Sequence, residues 1–247
     1  MIIYPNAKIN LGLYVTGVRP DGYHDIETLF VPVPTLRDIL EVVPSDRFEV
    51  RVFNLDIADS LCTKAFRLLE KDFGIPPVAI NLYKNIPAGA GLGGGSSDAA
   101  FTLKALDRIF SLGLDDSTLA GYASQIGSDC PFFIYNTPMT ASGCGDILKP
   151  HELSLDNYEI KVFPQKVFVS TREAYSGVTP RKPEIPLARA LEQPVEEWKN
   201  VLFNDFEESV FTKYPELAAA KQRLYEDGAV YAAMSGSGSS IFGIFGK

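Results

Sequence analysis

The chain is short of the residues from which metal centres and disulfide frameworks are built. Its 247 residues hold two histidines, His24 and His151, and three cysteines, Cys62, Cys130 and Cys144. Two imidazoles exclude a multi-histidine metal centre. An odd set of thiols without CxxC spacing argues against structural zinc or a disulfide framework and for a reducing compartment. Positive charge is scarce as well: 23 Lys and Arg against 31 Asp and Glu leave a net charge of −8. No sustained basic field is then available for nucleic acid or an anionic membrane surface, although local basic spots remain. No apolar run approaches the roughly 18 residues of a membrane span, and MIIYPNAKIN lacks the basic and apolar segments of a signal peptide. The expectation is a cytoplasmic, soluble chain acting on neither nucleic acid nor membrane. A 46% hydrophobic share suffices for one large core or two modest ones, and two linked lobes are expected.

Glycine, by contrast, is concentrated in one place, the run PAGAGLGGGSSDAA from Pro87 to Ala100. Around it the pattern is mixed. Ile9, Leu11, Leu13 and Val15 alternate with Lys8, Asn10 and Tyr14, which predicts a strand with a polar face running into the turn RPDGYH. FEVRVF (48–53) and AINLYKNI (79–86) read as strands. Between them Leu61, Ala65, Leu68, Leu69 and Phe73 fall at helical spacing, ending at Gly74. A helix carrying Ala99, Ala100, Leu103, Leu106, Ile109 and Phe110 opens from the glycine run. Another spans about Ser117 to Ile126, followed by Asp129 and the apolar PFFIY. A loop-rich stretch near Lys149 and Pro150 is the candidate lobe boundary. Beyond it come strands YEIKVF and QKVFVS, a proline-rich loop at RKPEIP, a helix at PELAAAKQRLYEDG and a second Gly/Ser loop, SGSGSS (235–240), leading into a strand.

Glycines let main-chain amides approach a ligand, and amides at a helix N-terminus attract anions; Ser96 and Ser97 add hydroxyls for phosphate oxygens or a cation. Phosphate is the expected ligand, with a packed glycine turn as the plain alternative. The P-loop pattern fails because no lysine follows the run. The dinucleotide pattern GxGxxG is met by Gly89, Gly91 and Gly94, with Asp115 or Asp116 near the acidic position, but Pro87 interrupts the strand that should lead into the turn. Three classes stay open on these grounds: a small-molecule kinase, a dinucleotide-dependent oxidoreductase and a non-catalytic nucleotide-binding protein.

The loop resembles the ATP loop of the galactokinase, homoserine kinase, mevalonate kinase and phosphomevalonate kinase (GHMP) superfamily. PNAKINLGLYVTG, GSDCPFF and SGSGSSIFGIF agree with it in the same order. The stretch AKINLGLYVTGVRPDGYHDIETLF, with its DGYH turn, is similar to the branch acting on 4-diphosphocytidyl-2-C-methyl-D-erythritol. The resemblance implies an α+β, two-lobed GHMP-kinase fold. Its N-terminal, ATP-binding lobe (1–150) would resemble ribosomal protein S5, and its C-terminal, substrate-side lobe (151–247) would be ferredoxin-like. It implies ATP-dependent phosphorylation of the substrate's 2-hydroxyl in the non-mevalonate isoprenoid pathway, with a homoserine- or mevalonate-type kinase as the neighbouring alternative.

The resemblance also assigns residues. Asp129 matches the catalytic aspartate, a general base towards the hydroxyl, and Lys8 its partner lysine, which would favour the alkoxide and neutralise the transferring phosphoryl group. Asn10 would bind Lys8, Asp129 or the substrate. Tyr23 and His24 would meet the substrate's cytosine, and counting forward from QKVFVS makes Tyr175 the second aromatic. Pro87, Ala88, Gly89, Ala90, Gly91, Leu92, Gly93, Gly94, Gly95, Ser96 and Ser97 would hold ATP phosphates, and Lys84 lies where the family contacts adenine. The family's Asn-Leu opening of the preceding helix reads Asp59-Ser60-Leu61 here. SGSGSS would lie near phosphates or pyrophosphate, or be a structural turn. Mg²⁺ is implied by ATP chemistry, with no acidic cluster to name its ligands.

Overall fold

Ser60 and Gly74 set the limits of the first helix, α1 (Leu61–Phe73), as their chemistry predicts. The Ser60 hydroxyl accepts from the Cys62 amide, and Gly74 closes the helix at φ 62°, donating to the Glu70 carbonyl. The computed structural model describes residues 1–55 and 60–247, so Asp59 lies outside the described residues. The strands are β1 (Ile2–Ile3), β2 (Asn6–Val18), β3 (His24–Arg37), β4 (Ile39–Pro44), β5 (Glu49–Phe53), β6 (Val78–Tyr83), β7 (Met139–Ser142), β8 (Ile147–Pro150), β9 (Tyr158–Phe163), β10 (Tyr231–Met234) and β11 (Ile241–Gly246). After α1 come α2 (Gly94–Phe110), α3 (Asp116–Ser124), α4 (Cys130–Tyr135), α5 (Thr171–Ser176), α6 (Leu187–Leu191), α7 (Trp198–Val201), α8 (Phe206–Lys213) and α9 (Pro215–Glu226). Among the described residues no helix is long and apolar enough to cross a membrane.

The chain forms two compact units and passes between them several times. The first comprises residues 1–7, 32–88 and 93–137. Its sheet has the order β1-β4-β6-β5, with β5 and β6 parallel and α1 as the crossover between them. Helix α1 buries Cys62, Ala65, Phe66 and Leu69 and packs against α2. That face is turned from the expected one: Phe73 is exposed, because Leu61, Leu68 and Phe73 offered a rival stripe and Phe66 won by stacking on Phe48 at 4.2 Å. Helix α2 begins at Gly94, inside the glycine run, earlier than its apolar periodicity suggests.

The second unit comprises residues 8–31, 89–92 and 138–247. It holds the antiparallel order β10-β11-β9, on which α9 packs, and contributes most of the order β2-β3-β7-β8. Leu13, Val15, Ile26, Val169, Phe206, Leu217 and Ile241 share one apolar cluster. Two expectations are overturned, and a strand that was not expected appears. QKVFVS is not a strand; β9 ends at Phe163, and Val167 and Val169 enter the cluster from irregular backbone. The stretch at Lys149 and Pro150 is not loop but β8, paired with β7. Strand β3 runs through Pro32 and Pro34, which lie beyond its pairing with β7 at Thr28–Phe30, so their missing N–H groups cost that ladder nothing.

Candidate active site

Strand β2 is buried on both faces from Asn6 to Val15, which places Lys8 and Asn10 in the interior although the strand begins as a polar alternation. Two residues apart, they share a face: Lys8 Nζ donates to Asn10 Oδ1 at 2.7 Å and stands 4.7 Å from the centroid of the Phe30 ring. Asn10 Nδ2 donates to Thr28 Oγ1 at 3.0 Å, and that hydroxyl donates to the Gly12 carbonyl at 2.6 Å. A lysine kept only 4% exposed needs such polar company, since burial penalises an unsupported charge. The Lys8 amide donates to the Leu92 carbonyl at 3.0 Å, tying β2 to the glycine loop.

The carbonyls of Ala90, Gly91 and Leu92 are bonded within the second unit, to which these residues belong. Ala90 O accepts from Ser240 N at 3.2 Å and Gly91 O from Ser235 Oγ at 2.8 Å, while Leu92 O takes the Lys8 amide. Gly89, Gly91 and Gly93 adopt φ of 64°, 76° and 70°. Glycine takes these angles without steric cost, and successive N–H groups in such a turn can make an anion-binding concavity. Gly93 caps α2 without a side chain, and the first turn holds no acidic residue, so the helix N-terminus is suited to phosphate. SGSGSS is thus a packing partner of the glycine loop, itself held by Asn204 Nδ2, which donates to Met234 O (2.8 Å) and Gly236 O (2.9 Å).

The DGYH turn closes through Gly22 at φ 83°, with the Gly22 amide on Arg19 O and the Arg19 amide on Tyr23 O. The Tyr23 amide donates to Asp21 Oδ1 at 3.0 Å, and this bond holds the Asp21 carboxyl below its usual range. The turn leaves Tyr23 66% exposed, an aromatic platform facing water. His24 and Tyr175 do meet, with ring centroids 4.7 Å apart and planes tilted by 31°, and Phe206 stands edge-on to Tyr175. If Tyr23 stacks on cytosine, Tyr23→Ala will weaken cytidine diphosphate binding by about 1 to 3 kcal/mol, the range for one base–aromatic stack. Calorimetry should show that loss with ATP affinity unchanged; an unaltered cytidine affinity would remove Tyr23 from the base site.

The remaining candidates lie in the first unit. Asp129 occupies the N-cap position of α4 with φ −83°, yet among the described residues its carboxylate makes no capping hydrogen bond. Lys84 follows the end of β6, and the expectation of direct contact with adenine meets a side chain only 5% exposed. Its ammonium pairs with Asp98 Oδ2 at 2.6 Å and with Asp38 Oδ2, while Asp38 Oδ1 accepts the Asn85 and Ile86 amides. Burial opposes the Lys84 charge, but the two carboxylates outweigh it and hold its pKa above the ordinary value. Burial lifts Asp98 to about 8 against the pull of Lys84. Asp98 belongs to α2, so this triad joins the two chain segments from which the glycine loop leaves and to which it returns. Ser96 is half-buried and Ser97 fully buried, its hydroxyl without a partner among the described residues.

The dinucleotide alternative fails on context: β6 stops at Tyr83, and the strand following α2–α4, β7, pairs antiparallel in another sheet. Family models give the positive assignment. The GHMP kinases N-terminal domain matches residues 60–137, and the GHMP kinases C-terminal domain matches 187–247. A curated 4-diphosphocytidyl-2-C-methyl-D-erythritol kinase of Bacteroides thetaiotaomicron is 51% identical over 253 residues, covering 99% of this chain and 92% of that one. Its counterpart in Parabacteroides distasonis is 52% identical over 251 residues, covering 100% and 92%. This chain belongs to the 4-diphosphocytidyl-2-C-methyl-D-erythritol kinases of the GHMP family. A solved 4-(cytidine 5'-diphospho)-2C-methyl-D-erythritol kinase, 36% identical, superimposes with a TM-score of 0.84 over 98% of this chain and 89% of that one.

Membership makes the chain an ATP-dependent small-molecule kinase with the α+β GHMP fold. Several polar residues of this kinase escape a reading of its sequence. Thr28 lies 18 residues from Asn10, and only the β2–β3 pairing brings it there. Asp38 and Asn204 stand outside any motif. Asp98 sits inside the glycine motif, where it is the one carboxylate among the buried residues of α2.

Proposed function

We propose that the chain transfers the γ-phosphoryl group of ATP to the 2-hydroxyl of 4-diphosphocytidyl-2-C-methyl-D-erythritol, giving the 2-phosphate and ADP for isoprenoid precursors. The observation that carries this reading is the Lys8 ammonium: it is buried, held by an amide oxygen, and mounted on the strand whose backbone is bonded to the glycine loop. Phosphoryl transfer needs a positioned hydroxyl, a cradle for the triphosphate and charge compensation more than covalent chemistry from the protein.

Asp129 is assigned as general base and Lys8 as the cation that favours the alkoxide and offsets charge on the transferring group. Asn10 orients Lys8. The amides from Ala88 to Ser97, opened by Pro87, take the phosphates. Lys84 acts on that loop through Asp38 and Asp98. Tyr23, His24 and Tyr175 take the cytosine, supported by the exposure of Tyr23 and the meeting of the other two rings. Along the chain, the ATP-binding part is proposed within 1–150 and the substrate-side part, apart from Tyr23 and His24, within 151–247.

Among the described residues no group of three or more His, Cys, Asp or Glu could cage a metal. Mg²⁺ carried on ATP phosphates fits such a site, because this ion keeps several waters and asks the protein for one or two oxygens. The Ser96 hydroxyl, in the first turn of α2, is the group that would reach it, and the ion would supply charge neutralisation.

The reading is tested on the base. Exchanging cytidine for uridine in the substrate turns an amino donor into a carbonyl acceptor, leaving any group that reads the amino group unpaired. ADP release should be stimulated by the cytidylyl alcohol and fall at least about a hundredfold with the uridylyl analogue. Equal rates would mean the base is not read.

A further inference from the structure

We infer that Thr28 is a positioning residue for phosphoryl transfer, fixing the Asn10 amide so that its oxygen faces the Lys8 ammonium. This rests on the reading of Lys8 given above. Four buried groups, the Gly12 carbonyl, Thr28, Asn10 and Lys8, are linked by donors and acceptors in sequence. The Gly12 carbonyl can only accept, so the Thr28 hydroxyl commits its single hydrogen there, at 2.6 Å. What Thr28 Oγ1 then offers Asn10, 3.0 Å away, is a lone pair, and the end of the amide facing it must be the NH₂. The other end is therefore the oxygen, and Lys8 Nζ, which can only donate, stands 2.7 Å from it. Reversing the amide would set oxygen against oxygen at Thr28 and NH₂ against ammonium at Lys8.

The chain begins at a backbone irregularity. Gly12 has φ +63°, which interrupts the regular strand pattern, and a Cβ there would press on Leu187 at 3.0 Å and Leu202 at 3.1 Å. Lys8, Asn10 and Thr28 are 4%, 3% and 0% exposed, so solvent cannot repair a mismatch.

Thr28→Val keeps the branched shape that suits a strand and removes the hydroxyl. With the chain broken, kcat should fall at least about tenfold while KM for ATP and affinity for cytidine diphosphate stay within about twofold. Thr28→Ser, which restores the hydroxyl, should return kcat to within about twofold of wild type. Lys8→Met should itself lower kcat by at least about a hundredfold, and the double variant K8M/T28V should be no slower than K8M, because Thr28 acts through Lys8. A purely structural role would instead multiply the two losses. The inference is overturned if T28V turns over normally, if T28S is as slow as T28V, or if the losses multiply. Should K8M be as active as wild type, the reading of Lys8 falls and takes this one with it; K8M slow beside a normal T28V removes the inference alone. If T28V does not fold, Thr28→Ala is compared with T28S under the same expectations.

Discussion

Asp129→Asn will fold, bind ATP and the cytidylyl substrate, and turn over at least about 10²-fold more slowly, the low end of a general-base contribution. The substitution is well matched to the local structure. Asp129 stands at the N-cap of α4, where asparagine is as good a capping residue as aspartate. Any structural service to the helix would survive the change, and what is lost is an oxygen able to accept a proton. Helix α4 buries Cys130, Pro131, Phe132, Phe133 and Ile134, so the backbone at Asp129 is fixed by packing that the variant leaves alone. Thermal unfolding should therefore stay close to wild type while single-turnover rates collapse. A variant within a few-fold of wild type would take Asp129 out of the mechanism.

Gly91→Ala should abolish measurable ATP binding at concentrations that saturate wild type, with cytidine diphosphate affinity retained. Two independent effects act at this position. Its φ of +76° is one that L side chains rarely adopt, and an added Cβ would overlap the Ser235 carbonyl oxygen, with Gly238 O a further 3.1 Å neighbour. These are backbone atoms and cannot rotate away. The loop must shift, and with it go the Gly91 carbonyl bond to Ser235 Oγ and the alignment of the neighbouring amides. Gly121→Ala, in α3 with nothing within 4 Å of the added carbon, serves as the control and should bind ATP normally. Equal loss of both ligands in Gly91→Ala would indicate general misfolding and leave the loop without its assigned role.

Elements with local punctuation were the legible ones. α1 could be read from its helical spacing and its stop at Gly74, α9 from the stretch PELAAAKQRLYEDG, and β5, β6, β9 and β11 from short β-rich runs. β3 was hidden by its prolines, and QKVFVS imitated a strand because apolar residues alternate in any extended segment, paired or not. The four helices from Thr171 to Lys213 are short, with prolines at 180, 183, 186 and 194 among them, and such pieces take their stability from tertiary packing more than from propensity. In the site, Lys8 and Asn10 were visible as an i, i+2 pair and the glycine run by its density. Thr28, Asp38 and Asn204 were not, since each depends on pairing between distant segments. Lys84 shows the limit of transfer from a family: position suggested a ligand contact, while Asp38 and Asp98 hold its ammonium in the interior.

Everything proposed for Lys8, Asp129 and the glycine loop serves phosphoryl transfer from ATP to the 2-hydroxyl of the cytidylyl alcohol. The direct measurement is product analysis: the purified chain is incubated with ATP, Mg²⁺ and, in separate reactions, 4-diphosphocytidyl-2-C-methyl-D-erythritol, homoserine and mevalonate, with phosphorus NMR to locate the new ester. Stoichiometric ADP and a phosphate monoester on the 2-hydroxyl are expected in the first reaction alone. Efficient phosphorylation of homoserine or mevalonate with the cytidylyl substrate ignored, or a new ester on a different hydroxyl, would contradict it.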